Sequence, residues 1–285
     1  MAKISKKVLI CGGGTAGHIY PAVALIEYIK DFYPGYQVLF LGTDRGMENK
    51  FIPQLEVEFK KIRASGLGKS ENLGQRIIIY IKFLFNLIVG LVSSVKILIG
   101  YRPDAILGMG GYVCAPLLLA AILTRRSFSL HEQNYIPGRL NKFFSKFAQN
   151  IFISFSETRN YFKNTNAKII YSGNPIRKVI KNFNQKNIDY RKWGLRKGRF
   201  TIVAFGGSLG ADKINKIIID LYKYFRNREN IQILLLTGSR FFRKMENTKK
   251  ELIRDNDKLI FSILPYVEEM DEIYNMADLI ISRAG

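Results

Sequence analysis

An α/β architecture with two consecutive doubly wound domains is the fold class this sequence predicts, on three observations. Apolar segments of strand length alternate with segments of helical periodicity along the whole chain, which calls for parallel sheets joined by right-handed crossovers. The chain twice runs from an apolar strand through a glycine turn into a helix, at Lys7-Val-Leu-Ile-Cys-Gly-Gly-Gly-Thr-Ala-Gly-His18 and at Thr201-Ile-Val-Ala-Phe-Gly-Gly-Ser-Leu-Gly-Ala211. Separating these in sequence is Gly173-Asn-Pro-Ile-Arg177, followed by a polar run from Lys181 to Lys192 that has the character of a surface linker. The expected domains are 1–175 and 176–285, both Rossmann-like.

Composition limits the partners. At 285 residues, 47% apolar and 24% charged, the chain is long and greasy enough to bury two cores. Lys and Arg outnumber Asp and Glu by 44 to 23, a formal charge of +21, which points to an anionic partner: nucleic acid, anionic lipid or a phosphorylated substrate. Charge alone does not choose among them. Cys11 and Cys114 have no Cys-x-x-Cys or histidine cluster beside them, so they are expected to be small buried residues in a reducing compartment, with no metal site. The basic N-terminal residues precede an apolar run of only Val8 to Cys11, so no secretory signal is expected.

In chain order, the first glycine turn has the grammar of a phosphate cradle. Glycines let the backbone approach a ligand, and the helix starting near Gly17 or His18 offers unpaired N–H groups and the positive end of its dipole. Gly12, Gly14 and Gly17 also satisfy the G-x-G-x-x-G spacing of dinucleotide-binding folds, and Asp44 stands after the second strand, where such enzymes place a ribose-binding acid. A tight turn without a ligand, and a turn role for Asp44, are the plain alternatives. The apolar helix body runs Ala22 to Phe32, with strands at Gln37–Leu41 and Val57–Ile62.

From Gln75 to Ile99 lies a run apolar and long enough to span a bilayer. Its polar residues, Lys82, Asn86, Gly90, Ser93 and Ser94, form a narrow stripe at helical spacing, leaving an apolar arc wider than one sheet face requires. Lys82, Lys96 and the position between two strands favour a crossover helix that packs on the sheet and also touches a membrane surface. A helix buried on nearly all sides is the competing reading. Flanking Lys61, Arg63, Lys69, Arg76, Lys96 and Arg102 favour an anionic surface.

A second strand ending in glycines follows at Pro103-Asp-Ala-Ile-Leu-Gly-Met-Gly-Gly-Tyr-Val113, then an apolar helix through Leu123 and a short strand into His131-Glu-Gln-Asn134. The chain has two histidines, His18 and His131, and both come just after strands, where ligands collect in open α/β sheets. For His131 a purely structural, hydrogen-bonded role is an equal alternative. A helix at Gly138–Ala148 and strands at Asn150–Ile153 and Lys168–Ser172 complete the first domain, and strands at Phe200, Ile231–Leu236, Leu259–Ser262 and Leu279–Ser282 build the second. The facing strand ends of two such domains are expected to form a cleft.

Six segments in order resemble the MurG family of glycosyltransferases: Gly13-Gly-Thr-Ala-Gly-His18, Gly108-Met-Gly-Gly-Tyr112, His131-Glu-Gln-Asn134, Gly173-Asn-Pro-Ile-Arg177, Gly206-Gly-Ser-Leu-Gly-Ala211 and Tyr266-Val-Glu-Glu-Met270. The resemblance covers essentially the whole chain. It implies a GT-B fold and transfer of N-acetylglucosamine, with inversion, from UDP-N-acetylglucosamine to undecaprenyl-pyrophosphoryl-N-acetylmuramoyl-pentapeptide in peptidoglycan synthesis. It also implies no cofactor or obligatory metal, no nucleic-acid partner, and a peripheral position on an anionic membrane surface at the cytoplasmic face of the inner membrane. Carried over residue by residue, it implies Thr15, Ala16, Gly17, Asn134, Arg177, Ser208 and Val267 at the donor site. His18 is the candidate base, facing the acceptor hydroxyl from a helix start, and imidazole suits proton transfer near neutrality.

Two departures stand out. The family has Gly where Ala16 stands, which matters if that position needs a positive φ. The sequence also stops at Ser282-Arg-Ala-Gly285, where the family continues through a helix whose Glu grips the donor ribose, so weakened donor binding and a less stable second domain are expected. An NAD(P)-dependent oxidoreductase and a non-catalytic module for anionic surfaces are the alternative functions.

Overall fold

The computed structural model describes residues 5–68, 72–181, 188–207 and 210–283. Lys69 and Ser208, both singled out above, and the linker residues 182–187 lie outside the described residues. The chain divides into two compact units, Met1–Lys178 and Val179–Gly285.

In the first unit the strands are β1 (Lys7–Cys11), β2 (Gln37–Gly42), β3 (Glu58–Lys61), β4 (Ala105–Gly108), β5 (Ser129–Glu132), β6 (Asn150–Ile153) and β7 (Lys168–Tyr171). They form one parallel sheet in the order β3-β2-β1-β4-β5-β6-β7. The order reverses at β1, so the crevice between the carboxyl ends of β1 and β4 is the topological switch point, where open α/β sheets hold their ligands. Burial on both faces explains why β1 and β2 are apolar after their first residues, Lys7 and Gln37. Leu9, Cys11, Leu39 and Leu41 face one core with α4 (Cys114–Leu123), while Ile10, Val38 and Phe40 face the other with α1 (Ala16–Phe32). Both cysteines are buried and unpaired. Burial in the first place pushes the Cys11 thiol well above its ordinary pKa, as befits an inert core residue.

The long apolar run forms α3 (Leu73–Tyr101), capped by the Asn72 side chain, which accepts from the amides of Gly74 and Gln75. It is long and apolar enough to cross a membrane by length and composition, and it serves as the crossover from β3 to β4. The inward face differs from the expectation that the apolar arc covers the sheet. The buried line is Gly90, Ser94 and Leu98, one face at four-residue spacing, part of it drawn from the small polar stripe. The cause is close approach: a Cβ on Gly90 would lie 2.1 Å from the Arg63 carbonyl oxygen and 3.0 Å from Pro116 of α4, so only a residue without a side chain fits. The N-terminal part of the wide arc stays out, with Leu73, Ile77, Ile78, Tyr80, Ile81, Leu84, Phe85 and Ile88 all at least half exposed, while Leu91, Val95, Ile97 and Tyr101 pack against the core.

The second unit holds β8 (Phe200–Phe205), β9 (Ile231–Leu236), β10 (Ile260–Leu264) and β11 (Leu279–Ser282) in a parallel sheet of order β10-β9-β8-β11. Its helices are α7 (Asp212–Phe225), α8 (Phe242–Leu252) and α9 (Met270–Met276); two short helices, α2 (Glu48–Phe51) and α6 (Lys178–Lys181), and α5 (Arg139–Phe144) complete the set. Ile202, Ala204, Ile233 and Leu235 pack under α7 and α8, and Val203, Leu234 and Leu236 pack with Trp193 and Ile273 on the opposite face. The helix expected over Gly138–Ala148 is shorter, because Ser145 ends α5 and the chain turns on its own carbonyls before β6.

Candidate active site

Two glycine loops meet at the switch point of the first unit. Gly14 (φ 87°) follows β1, and Gly110 (φ 97°) and Gly111 (φ 80°) follow β4 in the left-handed region that favours glycine. A Cβ on Gly110 would stand 2.9 Å from the His18 ring, so the second loop can lie under that imidazole only as glycine. Glu48, fully buried, holds the first loop in place: its carboxylate accepts from the Thr43 amide at 2.9 Å, the Thr43 hydroxyl at 2.8 Å and the Gly14 amide at 3.4 Å.

His18 is half-buried, and its hydrogen bonds decide where its proton sits. Nδ1 lies 3.0 Å from the Met109 carbonyl oxygen and 3.1 Å from Gln133 Oε1. A carbonyl only accepts, so Nδ1 carries the hydrogen, and in the neutral ring Nε2 is the nitrogen with the lone pair. The Gln133 amide then has its oxygen toward His18. Its nitrogen donates to Met109 O at 2.7 Å and to His131 Nδ1 at 3.0 Å. With Nδ1 accepting, His131 donates from Nε2 to the Gly173 carbonyl at 3.3 Å. One chain of hydrogen bonds thus runs from the first helix to the Gly173 carbonyl, and it requires a neutral His131, whose Nδ1 accepts. His131 is 4% exposed, and burial first of all lowers its pKa to about 4, which agrees with that state.

The N-terminus of α1 supplies donors. Thr15 caps it in extended geometry without a side-chain bond, and the Thr15 carbonyl accepts from the amides of His18 and Ile19. The amides of Ala16 and Gly17 make no hydrogen bond among the described residues, which leaves two donors at the positive end of a helix dipole. A Cβ on Gly17 would meet only Thr15 Oγ1, at 3.8 Å, so packing in this unit gives no reason for a glycine, whereas close approach of a ligand does. Ala16 has no positive φ, so its replacement of the family's glycine carries no backbone strain.

The remaining sequence-derived site residues fall in both units. Asn134 is held by Glu132, whose buried carboxylate accepts from its amide and side chain, both at 3.0 Å, from Gly138 N at 3.0 Å and from Asn141 Nδ2 at 2.8 Å. Arg177 belongs to the first unit, its guanidinium 4.3 Å from the Tyr20 ring centroid on α1. Next to it, the Lys178 amide donates to Glu27 at 2.8 Å and the Lys178 ammonium pairs with Asp31, so this segment is strapped along α1. Val267 lies in the second unit with a buried side chain and with peptide groups that make no hydrogen bond among the described residues. In that unit Gly207 (φ 88°) and Gly210 (φ 79°) shape the turn after β8, and a Cβ on Gly210 would sit 2.0 Å from the Thr237 carbonyl. Asp44, the ribose acid of the oxidoreductase reading, is exposed and pairs with Arg45 at 3.9 Å.

Sequence reasoning did not assign functional roles to Gln133, Glu132 and Glu48, or to the Met109 carbonyl. Alternation in His131-Glu-Gln-Asn134 is the one signal that pairs His131 with Gln133 and separates both from Glu132.

Two doubly wound units with glycine loops after their first strands define a Rossmann-like α/β protein, and the family models narrow that class. The Glycosyltransferase family 28 N-terminal domain matches residues 8–153, and the Glycosyltransferase family 28 C-terminal domain matches residues 201–285; the chain belongs to this family. Among curated relatives, the UDP-N-acetylglucosamine--N-acetylmuramyl-(pentapeptide) pyrophosphoryl-undecaprenol N-acetylglucosamine transferase of Thermoanaerobacter sp. (strain X514) is 39% identical over 284 residues, 98% of this chain and 74% of the relative. The enzyme of the same name from Natranaerobius thermophilus is 36% identical over 279 residues, with the same coverage. Among solved structures, Acinetobacter baumannii MurG is 26% identical with a TM-score of 0.63, covering 98% of this chain and 72% of that one. The Neisseria meningitidis UDP-GlcNAc 2-epimerase, bound to UDP-GlcNAc, is 14% identical with a TM-score of 0.67 over 98% of this chain and 78% of its own, which shows a shared fold.

Proposed function

We propose that this protein transfers N-acetylglucosamine from UDP-N-acetylglucosamine to undecaprenyl-pyrophosphoryl-N-acetylmuramoyl-pentapeptide, with inversion at the anomeric carbon, in peptidoglycan synthesis. The observation that carries the chemistry is the His18 imidazole at the switch point, its Nδ1–H fixed by Met109 O and its Nε2 left able to accept a proton. In this reading the acceptor hydroxyl attacks the anomeric carbon, its proton passes to His18 Nε2, and the bond to the UDP oxygen breaks with its electron pair leaving on the diphosphate. General-base help of this kind is worth roughly 10²–10⁴ in rate.

Thr15, Ala16, Gly17, Asn134, Arg177, Ser208 and Val267 form the proposed donor-binding set. The free amides of Ala16 and Gly17 and the Arg177 guanidinium suit the negative charge that grows on the departing diphosphate. The open peptide groups of Val267 suit the edge of a uracil. The exposed apolar arc of α3 with its basic flanks suits peripheral attachment to an anionic membrane at the cytoplasmic face, where the lipid-linked acceptor is presented. No nucleic-acid partner is required for the net charge on this account.

Thermal-shift titration with UDP, NAD and RNA tests the reading, since a ligand that binds only the folded state raises its apparent stability. UDP is expected to raise the transition temperature while NAD and RNA leave it unchanged. A shift with NAD alone favours the oxidoreductase reading and overturns this one.

A further inference from the structure

After β7 the chain carries Arg177 on a segment with few attachments. Its first tie is at Gly173 (φ 70°), whose carbonyl accepts from His131 Nε2 at 3.3 Å. Residues 174–177 have no hydrogen bond or ion pair among the described residues, and the chain is caught again at Lys178. There the backbone amide, which opens α6 and so has no intrahelical acceptor, donates to Glu27 Oε2 at 2.8 Å across 151 residues, and the ammonium pairs with Asp31. Arg177 stands one residue before that catch, half-buried, with its guanidinium 4.3 Å from the Tyr20 ring centroid.

The three residues of α1 that meet this segment lie on one line. Tyr20, Glu27 and Asp31 are spaced by seven and then four residues, which at about 100° per residue leaves Glu27 and Asp31 within about 20° of Tyr20 around the helix. At 1.5 Å per residue Glu27 lies about 10 Å, and Asp31 about 16 Å, beyond Tyr20 along the axis. Tyr20 is itself fixed, its ring edge-on to Phe51 at 5.2 Å. The same helix carries the free amides of Ala16 and Gly17 and the His18 imidazole at its start. Running the segment along this line therefore sets the guanidinium in register with those groups. The ring contact alone does not: a cation–π contact at a partly exposed site is worth roughly two- to fivefold in occupancy, less than a free backbone and a long side chain dissipate.

We propose that Glu27, seconded by Asp31, is a positioning residue for the nucleotide-sugar donor: by anchoring Lys178 to α1 it holds Arg177 where its guanidinium meets the diphosphate. This rests on the function proposed above, in which Arg177 belongs to the donor-binding set. A carboxylate beside a diphosphate only repels it, so both acids contribute through Lys178 and Arg177. The guanidinium itself has no hydrogen bond or ion pair among the described residues, which leaves its planar fork of donors to phosphate oxygens. The amide bond carries most of the anchoring, since it fixes the backbone next to Arg177, whereas the ion pair joins two partly exposed side chains and is screened by solvent.

The test uses the full chain and compares Glu27→Ala, Glu27→Gln, Arg177→Ala and the Glu27→Ala/Arg177→Ala pair. Hydrogen exchange at the Lys178 amide reads the anchor, and calorimetry with UDP reads the donor site. Glu27→Ala is expected to speed that exchange about tenfold and to weaken UDP binding about three- to tenfold, while Glu27→Gln, which still offers an oxygen to the amide, stays within about twofold of wild type in both. All four variants should melt within about 2 °C of wild type, because the anchor lies at the surface. In transfer assays the Glu27→Ala loss should appear in the donor KM, with the acceptor KM unchanged. In the Arg177→Ala background Glu27→Ala should add less than about twofold, since it acts through the guanidinium. Equal losses in Glu27→Ala and Glu27→Gln would reduce the effect to a change of charge, and a full further loss in the Arg177→Ala background would mean that Glu27 does not act through Arg177; either result overturns the proposal. So does an Arg177→Ala chain that binds UDP as wild type does, which also removes the guanidinium from the donor set. A chain that shows the expected exchange and UDP pattern but transfers no sugar would sink the proposed function and leave the anchor's role at the nucleotide standing.

Discussion

The Nδ1 of His18 lies 3.0 Å from the carbonyl oxygen of Met109, a contact across 91 residues that links the first helix to the loop after β4. It fixes one tautomer of the candidate base, and Gln133 reinforces it while reaching His131 on its other side. Gln133 is therefore expected to act through His18 as a positioning residue. Gln133→Leu removes both links and should lower kcat by about tenfold or more with little change in KM. Gln133→Glu still accepts from His18 Nδ1–H and should recover most of the rate. Equal losses in the two variants would show that Gln133 only supports the fold.

Gly90 supplies a stability test of how α3 sits. A Cβ there would be 2.1 Å from the Arg63 carbonyl, so Gly90→Ala should destabilise the first unit by about 1–3 kcal/mol even though alanine favours helix. Val92→Ala, on the exposed side, should cost less than about 0.5 kcal/mol. Denaturant melts of the two variants compare them directly, and a neutral Gly90→Ala would mean that α3 does not approach the 63–66 loop so closely.

His131 makes stability depend on pH in a stated window. Its folded pKa, about 4, is depressed below the ordinary 6.5 because burial disfavours the imidazolium. Between those values the unfolded chain binds a proton that the folded chain refuses, so the contribution is complete above pH 6.5 and is lost as pH falls toward 4. The full effect is on the order of 3 kcal/mol. Between pH 7 and pH 5 the wild-type transition temperature should fall further than that of His131→Gln. Parallel curves would remove His131 from the account of acid sensitivity.

Peripheral membrane attachment predicts a specific loss. Ile78, Ile81 and Ile88 are 66%, 63% and 59% exposed, so their replacement by Ser should leave the melting transition almost unchanged. If these side chains enter the lipid boundary, each is worth about 1.5–3 kcal/mol, and the triple variant should lose cosedimentation with anionic vesicles. Wild-type binding should also weaken as salt is raised. Vesicle binding that survives the triple substitution would mean that α3 is not the attachment face.

Much of the fold was legible because strands here are apolar runs closed by turn residues: β6, β9 and β11 begin and end where the pattern places them. The glycine loops and His18 were legible as motifs for the same reason, since a tight turn and a close approach leave glycine as their trace. The inward stripe of α3 was not. A wide apolar arc points to a second surface besides the sheet, but the close approach at Gly90 decides which residues turn inward, and hydropathy does not register backbone proximity. The wiring of His18, Gln133, His131 and Gly173 was also hidden. Its links span 115 and 42 residues, and only the strand order β1-β4-β5 brings them together. Arg177 was read as a donor contact, which remains a proposal; its place on Tyr20 depends on the strap along α1, a tertiary relationship without a local signal.

The central claim is transfer of N-acetylglucosamine with His18 as base, and one assay tests it most directly. Labelled UDP-N-acetylglucosamine is incubated with undecaprenyl-pyrophosphoryl-N-acetylmuramoyl-pentapeptide and either wild-type or His18→Ala protein at saturating substrates, and the product's rate and anomeric configuration are read. The account predicts a β-linked product from the wild type and a rate at least about a hundredfold lower for His18→Ala. No transfer by the wild type, a retained α linkage, or a His18→Ala rate within about tenfold of wild type would contradict it.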